Sequence, residues 1–220
     1  PVVTAANPTC FSGSRATVHN DICGRLSYLI LRYMEKNKIR KYVLQKRNAM
    51  SCDEKTAASK LVTCLVIQSQ YFIEANKIGC YVSTNNEVET KYLNKAILES
   101  KKSLYLPKIR SKNQMDFIVS HKKTMYQKNQ YGIPEPIDDK SVDVKSMDLI
   151  IVPLVAFDSN KNRIGMGGGY YDRKFNYLKN SKMKPNLLGI AFDCQFHNKI
   201  QSDSWDVNLT NVITETGFIC

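Results

Sequence analysis

The chain has 220 residues, of which 43% are apolar, and a formal net charge of +12. That length suits one domain with or without a short appendage, and that apolar share supports a sizeable core, which excludes wholesale disorder. No stretch approaches the ~18 consecutive apolar residues of a membrane span, and apart from the basic run KNKIRKYVLQKR, 36–47, the lysines are scattered, so neither a membrane nor a nucleic acid is the expected partner.

Residues 1–20 hold Ser, Thr and Arg but no acid. An amino-terminal extension over 1–33, frayed or acting as a leader, is expected ahead of a folded domain over 34–220. Location is then cytoplasmic, or mitochondrial if the extension is a leader. Residues 22–48 read as a helix. Lys36, Arg40 and Arg47 share one face of it, beside a stripe of Ile39 and Val43. Ser51 with Glu54 forms a capping box, and it opens a second helix with Ala58, Leu61, Val62 and Leu65 inward.

KIGCYVS, 77–83, reads as a strand, and 87–100 returns to a helical period through Val88, Leu93 and Ile97. SLYLP, 103–107, predicts a strand stopped by Pro107, with MDFIVS as a further strand. Residues 126–144 are polar, with Gly132, Pro134 and Pro136, and read as a long loop. DLIIVP, 148–153, and LLGIAF, 187–192, are continuous apolar strands. Helices alternating with fully buried strands predict an α/β fold: one three-layer domain with a largely parallel, mixed sheet flanked by helices. The seven cysteines make an odd count with no C-x-x-C pair, so buried free thiols in a reducing compartment are expected. His19, His121 and His197 lie far apart and offer no zinc spacing.

RIGMGGGYYDRK, 163–174, is the strongest chemical signal. Glycines at 165, 167, 168 and 169 directly precede a helix-like segment. Glycine tolerates positive φ and close approach, so several N–H groups can converge there on a phosphate. The loop follows a strand and therefore belongs near the carboxyl edge of the sheet, where α/β ligands bind. It is neither a P-loop nor a dinucleotide fingerprint. Glycines alone would read as a plain turn; Arg163, Tyr170, Tyr171 and Asp172 beside them favour a site.

The segment DLIIVPLVAFDSNKNRIGMGGGYYDRK resembles the signature of 5-formyltetrahydrofolate cyclo-ligases. Weaker likenesses run in order along the chain: Lys36 and Arg40 followed by R-N-A-M-S, then YVSTNNEVETKYL, SLYLPKI, LLGIAFDCQ and SWDVNLTNVITE. The resemblance implies a NagB/RpiA/CoA transferase-like fold. It also implies ATP- and Mg²⁺-dependent conversion of 5-formyltetrahydrofolate, in polyglutamylated form, to 5,10-methenyltetrahydrofolate by a monomer, with release of ADP and phosphate.

By the same resemblance, Lys36, Arg40, Arg163, Gly165, Gly167, Gly168, Gly169 and Tyr171 contact ATP. Val82, Glu87, Met166, Gly168 and Tyr170 contact the folate. Arg163, Tyr170 and Asp172 are catalytic, and Asp172 and Asp206 hold magnesium. The residue types suit these tasks: phosphoryl transfer asks mainly for positioning and charge, hard Mg²⁺ prefers carboxylates, and a carboxylate can accept from the donor edge of a pterin. Two positions depart from the pattern: Met166 stands where many relatives carry Arg, and Thr210 where an Asp often follows. The competing readings are a module of this fold that binds without turnover, and a basic nucleic-acid binder, which lacks a recognised motif.

Overall fold

The structure, a computed structural model, describes residues 15–84, 86–111, 114–180 and 185–219. It falls into two compact units, Pro1–Asn37 and Lys38–Cys220. Residues 1–14, the first part of the expected extension, lie outside the described residues; the described part of the first unit belongs to α1 (Arg15–Ala49). Among the described residues no helix is long and apolar enough to cross a membrane.

In the second unit the rest of α1 leads to α2 (Cys52–Gln68), α3 (Gln70–Glu74), β1 (Lys77–Gly79), α4 (Thr90–Glu99), β2 (Ser103–Ser111) and β3 (Gln114–Ser120). Three short strands follow, β4 (Tyr126–Lys128), β5 (Pro134–Pro136) and β6 (Ser141–Val142), and then the central β7 (Leu149–Val152). A hairpin of β8 (Ala156–Phe157) and β9 (Arg163–Ile164) precedes α5 (Tyr170–Phe175). The unit ends with β10 (Asn186–Ile190), β11 (Asn211–Thr214) and β12 (Gly217–Phe218).

Eight strands form one sheet in the order β12-β11-β10-β7-β1-β2-β3-β6. The five from β11 to β2 pair in parallel, whereas β12, β3 and β6 join by antiparallel pairing. All four β7 residues are 0% exposed, so both faces of the sheet are covered. Because side chains alternate along a strand, Leu149 and Ile151 enter one layer with Val62, Phe72, Leu93 and Ile97 of the helices α2 to α4. Ile150 and Val152 enter the other, with Phe175 and Leu178. Each such aliphatic or aromatic side chain contributes about 1.5–3 kcal/mol by leaving water. This is the three-layer mixed α/β architecture expected from the alternating pattern.

The capping box is present: Ser51 Oγ accepts from Glu54 N at 3.2 Å, and Glu54 Oε2 accepts from Ser51 N at 2.7 Å. Several local expectations need correction. On α2 the buried stripe is Ala58, Ser59, Val62, Thr63 and Val66, while Leu61 is 53% exposed. Cys64 shares the exposed side, so only Cys80 of the four described free thiols is fully buried. The strand at 77–83 pairs only through Gly79. The strand at 103–107 does not stop at Pro107; it runs on to Ser111 through pairing with β3. The ladder to β1 ends at Tyr105, and a proline two residues later has no N–H with which to extend it. The loop at 126–144 contains the β4–β5 hairpin, with β6 on the sheet edge.

Candidate active site

The loop Gly165–Gly169 leaves the β8–β9 hairpin beyond the carboxyl end of β7. Asp158, wholly buried, holds that hairpin by accepting from Asn162 N and Ile200 N, both at 2.9 Å, and from Asn162 Nδ2 at 3.0 Å. Phe157 packs edge-on against Phe196. The loop therefore starts from a fixed base. Gly167 has φ +102° and Gly169 φ +64°, which is why glycine serves there. Gly169 is also the N-cap of α5. Arg40 donates from Nε to Gly165 O at 2.7 Å, and Arg173 donates from Nη2 to Gly168 O at 2.5 Å.

Arg163 and Asp172 form an ion pair at 2.5 Å, with side chains 5% and 30% exposed. Arg163 Nη1 also donates to Val207 O, and Val207 N lies 3.4 Å from Asp172 Oδ1. The neighbouring Asp206 accepts from Asp203 N at 2.8 Å through Oδ2. The junction thus brings the backbone of Val207, the residue after Asp206, to Asp172. Two carboxylates near a glycine loop fit magnesium, which takes one or two protein carboxylates and completes its octahedron with water and phosphate oxygens. Among the described residues no group of three or more His, Cys, Asp or Glu gathers.

Tyr170 lies under the Arg173 guanidinium, 5.5 Å from its ring centre, and its hydroxyl is 3.3 Å from that of Tyr131. That hydrogen bond, with desolvation behind it, raises the Tyr170 pKa. The half-buried Tyr171 faces inward, and its phenol is pushed up strongly, first by burial and then by Cys80 and the Glu87 charge. Tyr81 is raised likewise by burial and by Glu87. Glu87, Tyr81 and Tyr171 are therefore electrostatic neighbours.

Glu87 caps no helix; its Oε2 accepts from Thr84 N at 2.8 Å within a turn that Lys55 steadies through Asn86. Val82 lines a cavity of about 410 Å³ with Leu98, Leu104, Leu106 and Tyr126. Met166 is 68% exposed at the tip of the loop. Lys36 lies one turn before Arg40 on α1, within the first unit. Tyr131 was missed by sequence reasoning; its only local signal is an aromatic inside a polar turn.

A family model described as the 5-formyltetrahydrofolate cyclo-ligase family matches residues 32–215. The 5-formyltetrahydrofolate cyclo-ligase of Haemophilus influenzae is 34% identical over 144 residues, covering 64% of this chain and 76% of the relative. The enzyme of that name from Escherichia coli is 29% identical over 176 residues, covering 78% and 96%. The solved structure of Aquifex aeolicus 5,10-methenyltetrahydrofolate synthetase superposes with a TM-score of 0.73 at 31% identity, covering 83% of this chain and 91% of that one. With the family model spanning nearly the whole second unit, this chain belongs to the 5-formyltetrahydrofolate cyclo-ligase family.

Proposed function

We propose that the chain is a ligase that closes 5-formyltetrahydrofolate to 5,10-methenyltetrahydrofolate at the expense of ATP, using the site at the carboxyl edge of the sheet. The observation that carries the assignment is the family match over residues 32–215, which includes the Gly165–Gly169 loop held by Arg40 and the acid Glu87, whose charge acts on Tyr81 and Tyr171. In this reading the formyl oxygen attacks the γ-phosphorus and ADP leaves. N10 then attacks the activated carbon, the carbon–oxygen bond breaks, and phosphate departs as N10 loses its proton.

Backbone N–H groups of Gly165, Gly167, Gly168 and Gly169 cradle the phosphates, with charge from Lys36, Arg40 and Arg163. Glu87 accepts from the pterin donor edge, and Val82, Met166 and Gly168 border the folate. Tyr170, held by Arg173 and Tyr131, offers a flat face, while Tyr171 closes the nucleotide side. Arg163 fixes Asp172 and stabilises transferring charge. Asp172 and Asp206 hold magnesium, which supplies neutralising charge to the phosphates when bound.

We propose residues 34–220 as the catalytic domain, a monomer acting on polyglutamylated folate in the cytoplasm, or in the mitochondrion if the extension 1–33 is a leader. The experiment is incubation with 5-formyltetrahydrofolate and Mg-ATP while methenyl absorbance is followed. ATP-dependent growth of that absorbance is expected, and its absence overturns the reading.

A further inference from the structure

After Arg40, α1 crosses the carboxyl edge of the sheet. Val43, wholly buried, shares a cluster with Val155 beyond β7 and Ile164 of β9. Met50, seven residues on, meets Cys194 beyond β10, with the two sulfurs 3.6 Å apart. Arg47 stands between these two anchors, one turn from each. Its side chain belongs to a residue only 4% exposed, and its Nε and Nη1 are enclosed without a hydrogen-bond partner. A guanidinium stays charged at any physiological pH, and a buried cation with unfilled donors is costly unless something answers it. Among the described residues, the groups that its charge acts on are Tyr81 and Cys194. Both are held protonated by burial, so neither is the missing anion.

The missing partner is identified by position. Arg40 meets the glycine loop, whereas Arg47, about 10 Å further along the helix, lies toward Tyr81 and hence toward the Glu87 side. The two arginines bracket the path from nucleotide to folate. The anionic group that travels that path is the phosphoryl group, and a planar guanidinium matches phosphate oxygens. Resting on the cyclo-ligase reading, we propose that Arg47 is a catalytic residue that receives the transferred phosphoryl group at the acceptor end of the site and holds it until it leaves as phosphate. The arginine keeps its proton throughout. The P–O bond to ADP breaks as the bond to the formyl oxygen forms, and the later C–O cleavage frees phosphate beside Arg47.

The test compares the parent with Arg47→Met and Arg47→Lys, by melting with and without inorganic phosphate and by steady-state kinetics. Arg47→Met should melt at or above the parent temperature, because an uncompensated buried charge is gone. It should lose protection by phosphate and weaken phosphate product inhibition. Its kcat should fall by about 100-fold with both KM values within a few-fold. Arg47→Lys should recover part of kcat. A markedly lower melting temperature for Arg47→Met, with phosphate inhibition of Arg47→Lys like the parent's, makes the arginine structural and overturns the proposal. A raised folate KM with an unchanged phosphate response also overturns it, by assigning Arg47 to a folate carboxylate. If the parent forms no methenyl product, the functional reading falls, while the phosphate melts still decide whether Arg47 holds phosphate.

Discussion

Replacing Asp172 by Asn would leave Arg163, whose side chain is 5% exposed, with an amide oxygen in place of its carboxylate. A helix-start acid contributes only ~0.3–1 kcal/mol; this one also neutralises a buried guanidinium. Losing one member of a fully buried pair costs roughly 3–5 kcal/mol, and Asp172 is 30% exposed and Asn still accepts one bond, so about 1–2 kcal/mol is expected. Turnover should fall by ~100-fold or more, the loss of one electrostatic stabiliser. Steady-state rates across a magnesium titration, with a thermal melt beside them, check both numbers. Rates within a few-fold of the parent at every magnesium concentration would leave Asp172 with the structural role alone. Glu87→Gln is milder: the amide can still accept from Thr84 N, so the turn survives. The charge beside Tyr81 and Tyr171 disappears, and folate affinity should drop by about 10-fold or more, the worth of one charge-assisted hydrogen bond. Separate binding measurements for folate and ATP decide it, and a larger loss for ATP would put Glu87 in the wrong half of the site.

At the scale of elements, the glycine loop joins the β8–β9 hairpin to α5. A Cβ at Gly168 would stand 3.0 Å from the Tyr170 ring, although its φ accepts a side chain. Gly168→Ala should therefore shift Tyr170 away from Arg173 and Tyr131 while the melting curve changes little. kcat/KM should fall by ~10- to 100-fold, since small misplacements at a reacting centre are costly; unchanged kinetics would reduce the loop to a turn. This loop was legible in the sequence because four glycines and an acid in twelve residues have few structural uses. β7 was legible because a strand buried on both faces must be continuously apolar. The β4–β5 hairpin was not, since each strand has three residues, all of β4 is exposed, and two residues of β5 are proline. Nor was the burial of Arg47, which by spacing belongs to a solvated basic face and is enclosed only by segments far away in the chain. Partners such as Tyr131 for Tyr170, 39 residues apart, likewise exist only after folding.

For the whole molecule, burial of neutral phenols and thiols near the sheet's carboxyl edge sets a limit on alkaline stability. Cys80 is wholly buried and its pKa is pushed from 9.0 to about 12, chiefly by desolvation. Tyr81 and Tyr171 are raised for the same first reason. The sign follows from proton counting. In the unfolded chain these groups release protons from about their ordinary values upward, whereas the folded chain holds them, so the folded state binds more protons. Stability contributed by Cys80 is complete below pH 9 and is lost as pH rises toward about 12, with a slope of up to ~1.4 kcal/mol per pH unit for each such proton. Cys80→Ala removes one of them. At neutral pH the variant should be less stable by about 1–2 kcal/mol, for the sulfur's lost packing and cavity. As pH rises above 9 the parent should lose stability faster than the variant, so the gap should narrow and can reverse. Denaturant unfolding of both proteins at intervals from neutral to strongly alkaline pH measures the gap directly. A gap that stays constant across that range would mean that the Cys80 thiol ionises in the folded chain as readily as in the unfolded one, contrary to its complete burial.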